Sequence, residues 1–397
     1  MTPLPDRRIL VPALGVTQIL AWGSTFYLLG VLAPLIVTDM GWSYDLVVAG
    51  VSIGLLIAGL ASPGVGRLIA RVGGRRVLAT GAVLVAVGLA ILGTATTFAV
   101  YLLGWAVIGL GMSASLYDAA FATLGSIYGA QARGAISALT LLGGFASTVC
   151  WPLSAVLAAR FGWRGACIGY ALLHIAISLP AHLLVLPAAR RGRLETAANA
   201  RKAVGLSPSE RWLFLLVSAV LTIAAAILSM MGTHLLPILL ARGLDQALAV
   251  ALGAILGPSQ VGARLVETLA GTRYHPVWTM FASAVLVAIG AFMLMTDFSV
   301  VALSIALYGA GNGIGSIARG TVPLALFGPE RYPVLMGRIA LPLLVAMAVS
   351  PFAGGLAFGM GGAEWTLALL LMLAFLNVVL VAALVAMALR WPSGARP

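Results

Sequence analysis

Charge is what this sequence has least of. Only 9% of its 397 residues are Asp, Glu, Lys or Arg, while 61% are hydrophobic and the mean hydropathy is +1.09. A soluble core of that size needs a polar surface, so a soluble globular class is excluded and a polytopic membrane protein is indicated. Short alternating segments are also missing. The apolar runs are long and continuous, which excludes a β-barrel and points to helices. Cysteine is nearly absent: Cys150 and Cys167 both fall inside apolar runs and read as small packing residues rather than a disulfide framework. The four histidines are too scattered for a metal site, and no cofactor motif is present. The Gly-x-Gly runs follow no strand, so they are not nucleotide loops. Clustered His/Asp/Ser groups are lacking, as is any long hydrophilic module, so an enzyme is not expected. The first apolar run, from Ile9, is too long for a signal-peptide core and ends in no small-residue cleavage site.

Glycines, prolines and charge clusters divide the apolar sequence into twelve spans. They lie near 9–38, 45–66, 77–96, 98–127, 132–159, 165–187, 211–240, 246–270, 276–296, 298–327, 333–358 and 364–389. The net charge of +12 follows this division. Most arginines, among them Arg7, Arg8, Arg67, Arg71, Arg75, Arg76 and Arg133, fall in loops on the side of the N-terminus. The opposite loops hold Arg160, Arg164 and Arg242, together with Asp39, Asp45, Asp245, Asp297 and Glu364. That asymmetry is a topology signal with both termini in the cytoplasm, not a nucleic-acid footprint. One long polar stretch, 189–210, separates an N-terminal half, 1–188, from a C-terminal half, 211–397. Ser207 and Glu210 form a capping box at the start of the seventh span. The halves echo each other: Gly109 and Gly111 return as Gly309 and Gly311, Asp45 as Asp245, and Pro152 as Pro351. Parallel repeats of this kind are a transporter signature.

The short basic loop GRLIARVGGRRVL carries Gly66, Arg71, Gly73, Arg75 and Arg76 between two spans. It resembles the signature loop of the major facilitator superfamily, with Ala70 where an acidic residue is customary. That resemblance covers the whole chain. It implies an all-α membrane protein of twelve transmembrane helices in two pseudo-symmetric six-helix bundles. The run GVLAPLIVTDMGWSYDLVVAGVSIGLLIAGLASPGVGRL is similar to the first two helices of bacterial members of the monocarboxylate and oxalate transporter branch. The likeness rests on Gly41-Trp42-Ser43 and Pro63.

Four ionisable groups remain inside spans: Asp118, Arg264, Glu267 and Arg319. Intramembrane charges are costly and are functional by default. Two are negative and two positive, so pairing would neutralise the interior. Arg264 and Glu267 are three apart on one helix and within reach of each other. The branch resemblance implies that an arginine in the eighth span, here Arg264, contacts a substrate carboxylate. Gln18, Trp22, Tyr27, Tyr117, Gln260, Tyr308 and Asn312 lie on spans that line the cavity in this fold, and are the other substrate-binding candidates. Asp118, Glu267, Arg319 and His234 are candidates for proton coupling or gating. Each has a structural alternative: an ion-pair network for the charges, packing for the aromatics, a helix–helix hydrogen bond for Asn312. The expectation is a secondary transporter of the inner membrane, acting as a monomer and moving a small organic anion with a proton as candidate coupling ion. Its partners are the bilayer and that small molecule, with no nucleic acid, metal or cofactor. The rival is a proton-driven efflux pump for drugs or metalloid compounds. Trp105 stands where such pumps carry an arginine, and span five lacks their GPxxGG-like run.

Overall fold

A computed structural model describes residues 6–188, 205–270, 273–296 and 300–390. Most of the expected linker, 189–204, and Asp297 lie outside the described residues. Every regular element among the described residues is helical, and eight stretches are long and apolar enough to cross a bilayer.

Several expected spans are interrupted. The first is α1 (Arg7–Gly23) and α2 (Leu29–Met40), separated by a polar turn. Gly23 favours no helix, and the Thr25 hydroxyl bonds back to the carbonyl of Ala21, competing with the backbone ladder. Next come α3 (Tyr44–Val72) and α4 (Gly74–Gly93). Gly73 joins them at φ 81°, a left-handed conformation that suits glycine. Gly74 is as constrained, because a Cβ there would meet the Thr123 side chain at 2.2 Å. The fourth span splits into α5 (Phe98–Ser115) and α6 (Tyr117–Tyr128) at Leu116, whose backbone is extended. The fifth contains α7 (Ala132–Gly143) and the start of α8 (Ala146–Leu173). Helix α8 then turns back at Gly162, φ 68°. The Tyr170 hydroxyl reaches the carbonyl of Cys150 at 2.9 Å, whereas twenty straight helical residues would separate them by about 30 Å. A π-helical turn, His174–Ser178, leads into α9 (Leu179–Val185).

The remaining elements are α10 (Pro208–Ala241), α11 (Gln246–Gly253), α12 (Leu256–Ala270), α13 (Pro276–Thr296), α14 (Val301–Phe327) and α15 (Tyr332–Arg390). The capping box of Ser207 and Glu210 opens α10. Fifty-nine residues of straight helix would be about 88 Å long. Helix α15 avoids this by leaving helical geometry at Gly361 and Gly362, and Thr366 bonds back to Gly354.

The chain forms two compact units: residues 1–205 with 329–341, and 206–328 with 342–397. In the first, glycines let backbones touch. A Cβ on Gly66 would lie 2.5 Å from the Pro333 carbonyl, and one on Gly109 would lie 2.5 Å from that of Gly54. Arg164 ties three helix ends together: it pairs with Asp39, donates to the Ala95 carbonyl at 3.0 Å, and lies 4.3 Å from the Trp163 ring. Trp163 also donates to Asp39 at 3.0 Å. These two donors hold the Asp39 carboxyl below its ordinary value, the Arg164 bond first. In the second unit, Arg242 pairs with Glu364 at 2.5 Å. It donates to the Leu294 and Met295 carbonyls at 2.7 and 3.2 Å.

Candidate functional site

Arg264 is the best-defined site in the second unit. Helices α12 and α14 meet closely because Gly313 has no side chain, and a Cβ there would sit 2.4 Å from the Gln260 carbonyl. That approach buries Arg264 to 6% exposure. Its Nε donates to the Gly313 carbonyl at 3.2 Å and to the Ser316 hydroxyl at 3.0 Å. Its Nη2 reaches the Gln260 amide oxygen at 3.4 Å. Among the described residues its Nη1 has no partner. All the acceptors are neutral, so they orient the guanidinium without cancelling its charge.

Glu267 does not supply the missing charge. It is equally buried, but one carboxylate oxygen accepts from the Thr279 hydroxyl at 2.7 Å and the other from the Tyr274 hydroxyl. The three-residue spacing allows an Arg264–Glu267 contact, yet hydroxyls from α13 and the loop before it occupy the carboxylate. Asn312 also differs from a helix–helix bridge, because its amide donates to the Tyr308 carbonyl one turn back on α14. The buried Tyr308 hydroxyl donates to the Ile227 carbonyl at 3.3 Å. His234 Nε2 lies 2.9 Å from the Pro351 carbonyl, with the ring stacked on Phe358. Arg319 lies half-buried on α14, eight residues before its end. The structure therefore groups Arg264, Gln260 and the α14 backbone. Glu267 and His234 sit in separate bonding networks.

In the first unit the aromatic candidates come together. The Trp22 ring lies 5.1 Å from Tyr117 and 6.4 Å from Tyr27, and Tyr117 stacks on Phe121. Gln18 donates to the Ser115 carbonyl at 2.6 Å, next to the Leu116 break, where the carbonyl is free to accept. Asp118, 6% exposed, follows that break in the first turn of α6. It lines a cavity of about 10 Å³ with Ser62, Gly66, Ser113 and Gly337. Arg71 and Arg76 of the signature loop are exposed and Arg75 is half-buried, while Gly66 and Gly73 are buried.

Two groups escaped the reading of the sequence. His174 and His182 are fully buried and bond Ser24, the C-cap of α1, and Thr17 within it. A polar residue every fourth position (His174, Ser178, His182) was the available signal. The Arg164 and Arg242 anchors were visible only as interfacial charges.

Comparison with known proteins bears on the whole chain. The family model of the Major Facilitator Superfamily matches residues 14–271. No curated protein sequence matches. Among solved structures, the human organic anion transporter MFSD10 (TETRAN) is similar at a TM-score of 0.75. Its identity is 15%, over 95% of this chain and 100% of that one. The transporter FucP in its outward conformation gives 0.73 at 13% identity, over 94% and 98% of the two chains. A second FucP structure, of the E. coli fucose:proton symporter, gives 0.66 at 17%, over 93% and 98%. At these identities the likeness concerns the fold.

Proposed function

The chain belongs to the Major Facilitator Superfamily, and we propose that it is a secondary active transporter of a small, monocarboxylate-like organic anion, working by alternating access. The observation that carries this reading is Arg264. A guanidinium stays charged when buried, and an unbalanced buried charge is costly. Here three neutral acceptors fix its plane while, among the described residues, Nη1 is left without a partner. A carboxylate arriving along that edge gains a charge-assisted hydrogen bond and neutralises the site during each cycle. Glu267 is engaged by two hydroxyls and leaves this role open. The printed description of the human structural neighbour, an organic anion transporter, agrees with the substrate class. The excess of arginine in loops on the N-terminal side supports a plasma-membrane protein with both termini in the cytoplasm. Asp118, Glu267 and His234 are candidate proton carriers, and Arg319 a gating group.

The test is binding and uptake by purified protein in proteoliposomes, using lactate, oxalate and benzoate beside neutral sugars and cationic dyes. Arg264→Gln should weaken anion binding by roughly tenfold to a hundredfold, the equivalent of about 1.5–3 kcal/mol for a charged hydrogen bond. Arg264→Lys retains charge but loses the planar fork, so it should fall between wild type and Arg264→Gln. Undiminished anion transport by well-folded Arg264→Gln overturns the reading. Dye export that survives the same change favours the efflux alternative.

A further inference from the structure

Two imidazoles in the first unit are used by nothing described so far. His174 and His182 are 1% and 2% exposed. With Ser178 between them they recur every fourth residue, which places all three on one helix face. Helix α1 and its C-cap supply the facing hydroxyls. Ser24 Oγ lies 2.8 Å from His174 Nε2, and Thr17 Oγ1 lies 3.1 Å from His182 Nε2. The pairs run in opposite chain order, so the two helices are antiparallel along a polar seam about two turns long.

Both helices are irregular at the His174 end of the seam. Helix α1 stops at Gly23, immediately before Ser24, and α2 resumes only at Leu29. The π-helical turn starts at His174 itself. Pro180 has no N–H to offer the Ala176 carbonyl, which gives that turn a local cause. Turns of this type recur at functional sites. Polar atoms are also left over along the seam: among the described residues, His174 Nδ1, Ser178 Oγ, His182 Nδ1 and Gln18 Oε1 are enclosed without a partner, and of the two rings only His174 lies at the irregular end. An imidazole engaged through one nitrogen and idle at the other can take up a proton without breaking a covalent bond.

We propose that this seam is a proton-binding site, with His174 the acceptor, and that loading it favours opening of the α1–α2 break. The proton adds to the lone pair of the unprotonated ring nitrogen and leaves an imidazolium with two N–H donors. A ring this enclosed cannot carry charge cheaply. The proton therefore enters when the break opens and admits water, and by linkage it stabilises that opened state. The helices packed against the stripe are α1, α4 and α8. The ionisable group that acts on His174 is His182, which lies beside the Leu78 backbone of α4. The buried titratable residues of α8 (Cys150, Cys167 and Tyr170) make no hydrogen bond to either ring. Charging one ring opposes charging the other, so the seam takes a single proton. The inference deepens the transporter reading, but the binding itself needs no substrate to observe.

The experiment uses full-length protein with 15N-labelled histidine in lipid nanodiscs, taken from about pH 8 to about pH 5 across the ordinary imidazole range. The native Cys150 thiol reports on α1, because it packs against Gly23 and the Ile19 carbonyl. Its labelling by a bimane reagent, located by mass spectrometry and referenced to a free thiol at each pH, measures opening. In wild type, one of the two buried rings should become imidazolium, and Cys150 labelling should rise severalfold over the reference. His174→Gln should abolish both effects. Ser24→Ala frees the ring but keeps it, and should raise labelling already at pH 8. Two neutral rings throughout, labelling that merely follows the free thiol, or an unchanged response in either variant overturns the proposal. Arg264→Gln should leave both readouts as in wild type, so failure of the anion reading is distinguishable from failure of this one.

Discussion

In the first unit the anchoring arginine is Arg164, near the turn of α8, and its acidic partner Asp39 closes α2. In the second unit the polarity is exchanged: Arg242 closes α10, and Glu364 lies just past the turn of α15. Both arginines also donate to carbonyls at the end of a third helix, Ala95 after α4 and Leu294 with Met295 in α13. The last carbonyls of a helix lack intrahelical donors and carry its negative dipole end. A cation is therefore needed at that corner in each unit. Which of the other two helices supplies it is free to vary, and the carboxylate follows on the helix left over.

The largest effect should come from reversing the more enclosed anchor. The Arg242 side chain is 14% exposed. Arg242→Glu strands two carbonyls and opposes Glu364, and should cost about 3 kcal/mol, read as a fall in unfolding temperature by tryptophan fluorescence. Adding Glu364→Arg installs the first unit's polarity, and should recover more than half of that loss. No recovery would mean that the two corners are not equivalent.

A second contrast concerns glycine packing. Gly66→Ala places a Cβ against the Pro333 carbonyl and should cost about 2 kcal/mol by overpacking. Gly262→Ala, on the eighth span, meets nothing within 4 Å and should leave stability unchanged. Equal unfolding temperatures for the two variants would remove the distinction.

The smallest effect is expected from the exposed acid of the first anchor. Because Asp39 is held below its ordinary value, its contribution is complete above about pH 4 and is lost as pH falls through the lowered value. The difference in unfolding temperature between wild type and Asp39→Asn should be constant near neutrality and vanish in stronger acid. A difference that vanishes near neutrality instead would place the titrating group elsewhere.

The helical class, the basic loop and the capping box were legible because each rests on local chemistry: apolar run length, a glycine at positive φ between two helices, and a serine–glutamate spacing. The breaks within spans were not. Leu116 is an ordinary helix former, and its extended backbone is linked to the Gln18 bond to Ser115, 97 residues away. The same holds for the site. Arg264 was visible as an intramembrane charge, but its neutral surroundings depend on Gly313 and Ser316 of another helix. Spacing brought Glu267 within its reach, and tertiary hydroxyls overrode spacing.

The Leu116 break changes how the membrane meets Asp118. A continuous span would enclose this carboxylate in the middle of a helix, where every amide is already engaged. Because a new helix begins at Tyr117, Asp118 instead stands among the first amides of α6, whose N–H groups have no preceding carbonyl within that helix. Two short dipoles replace one long one, and the acid sits at the positive pole of the second. The fold thus builds part of the counter-charge out of backbone.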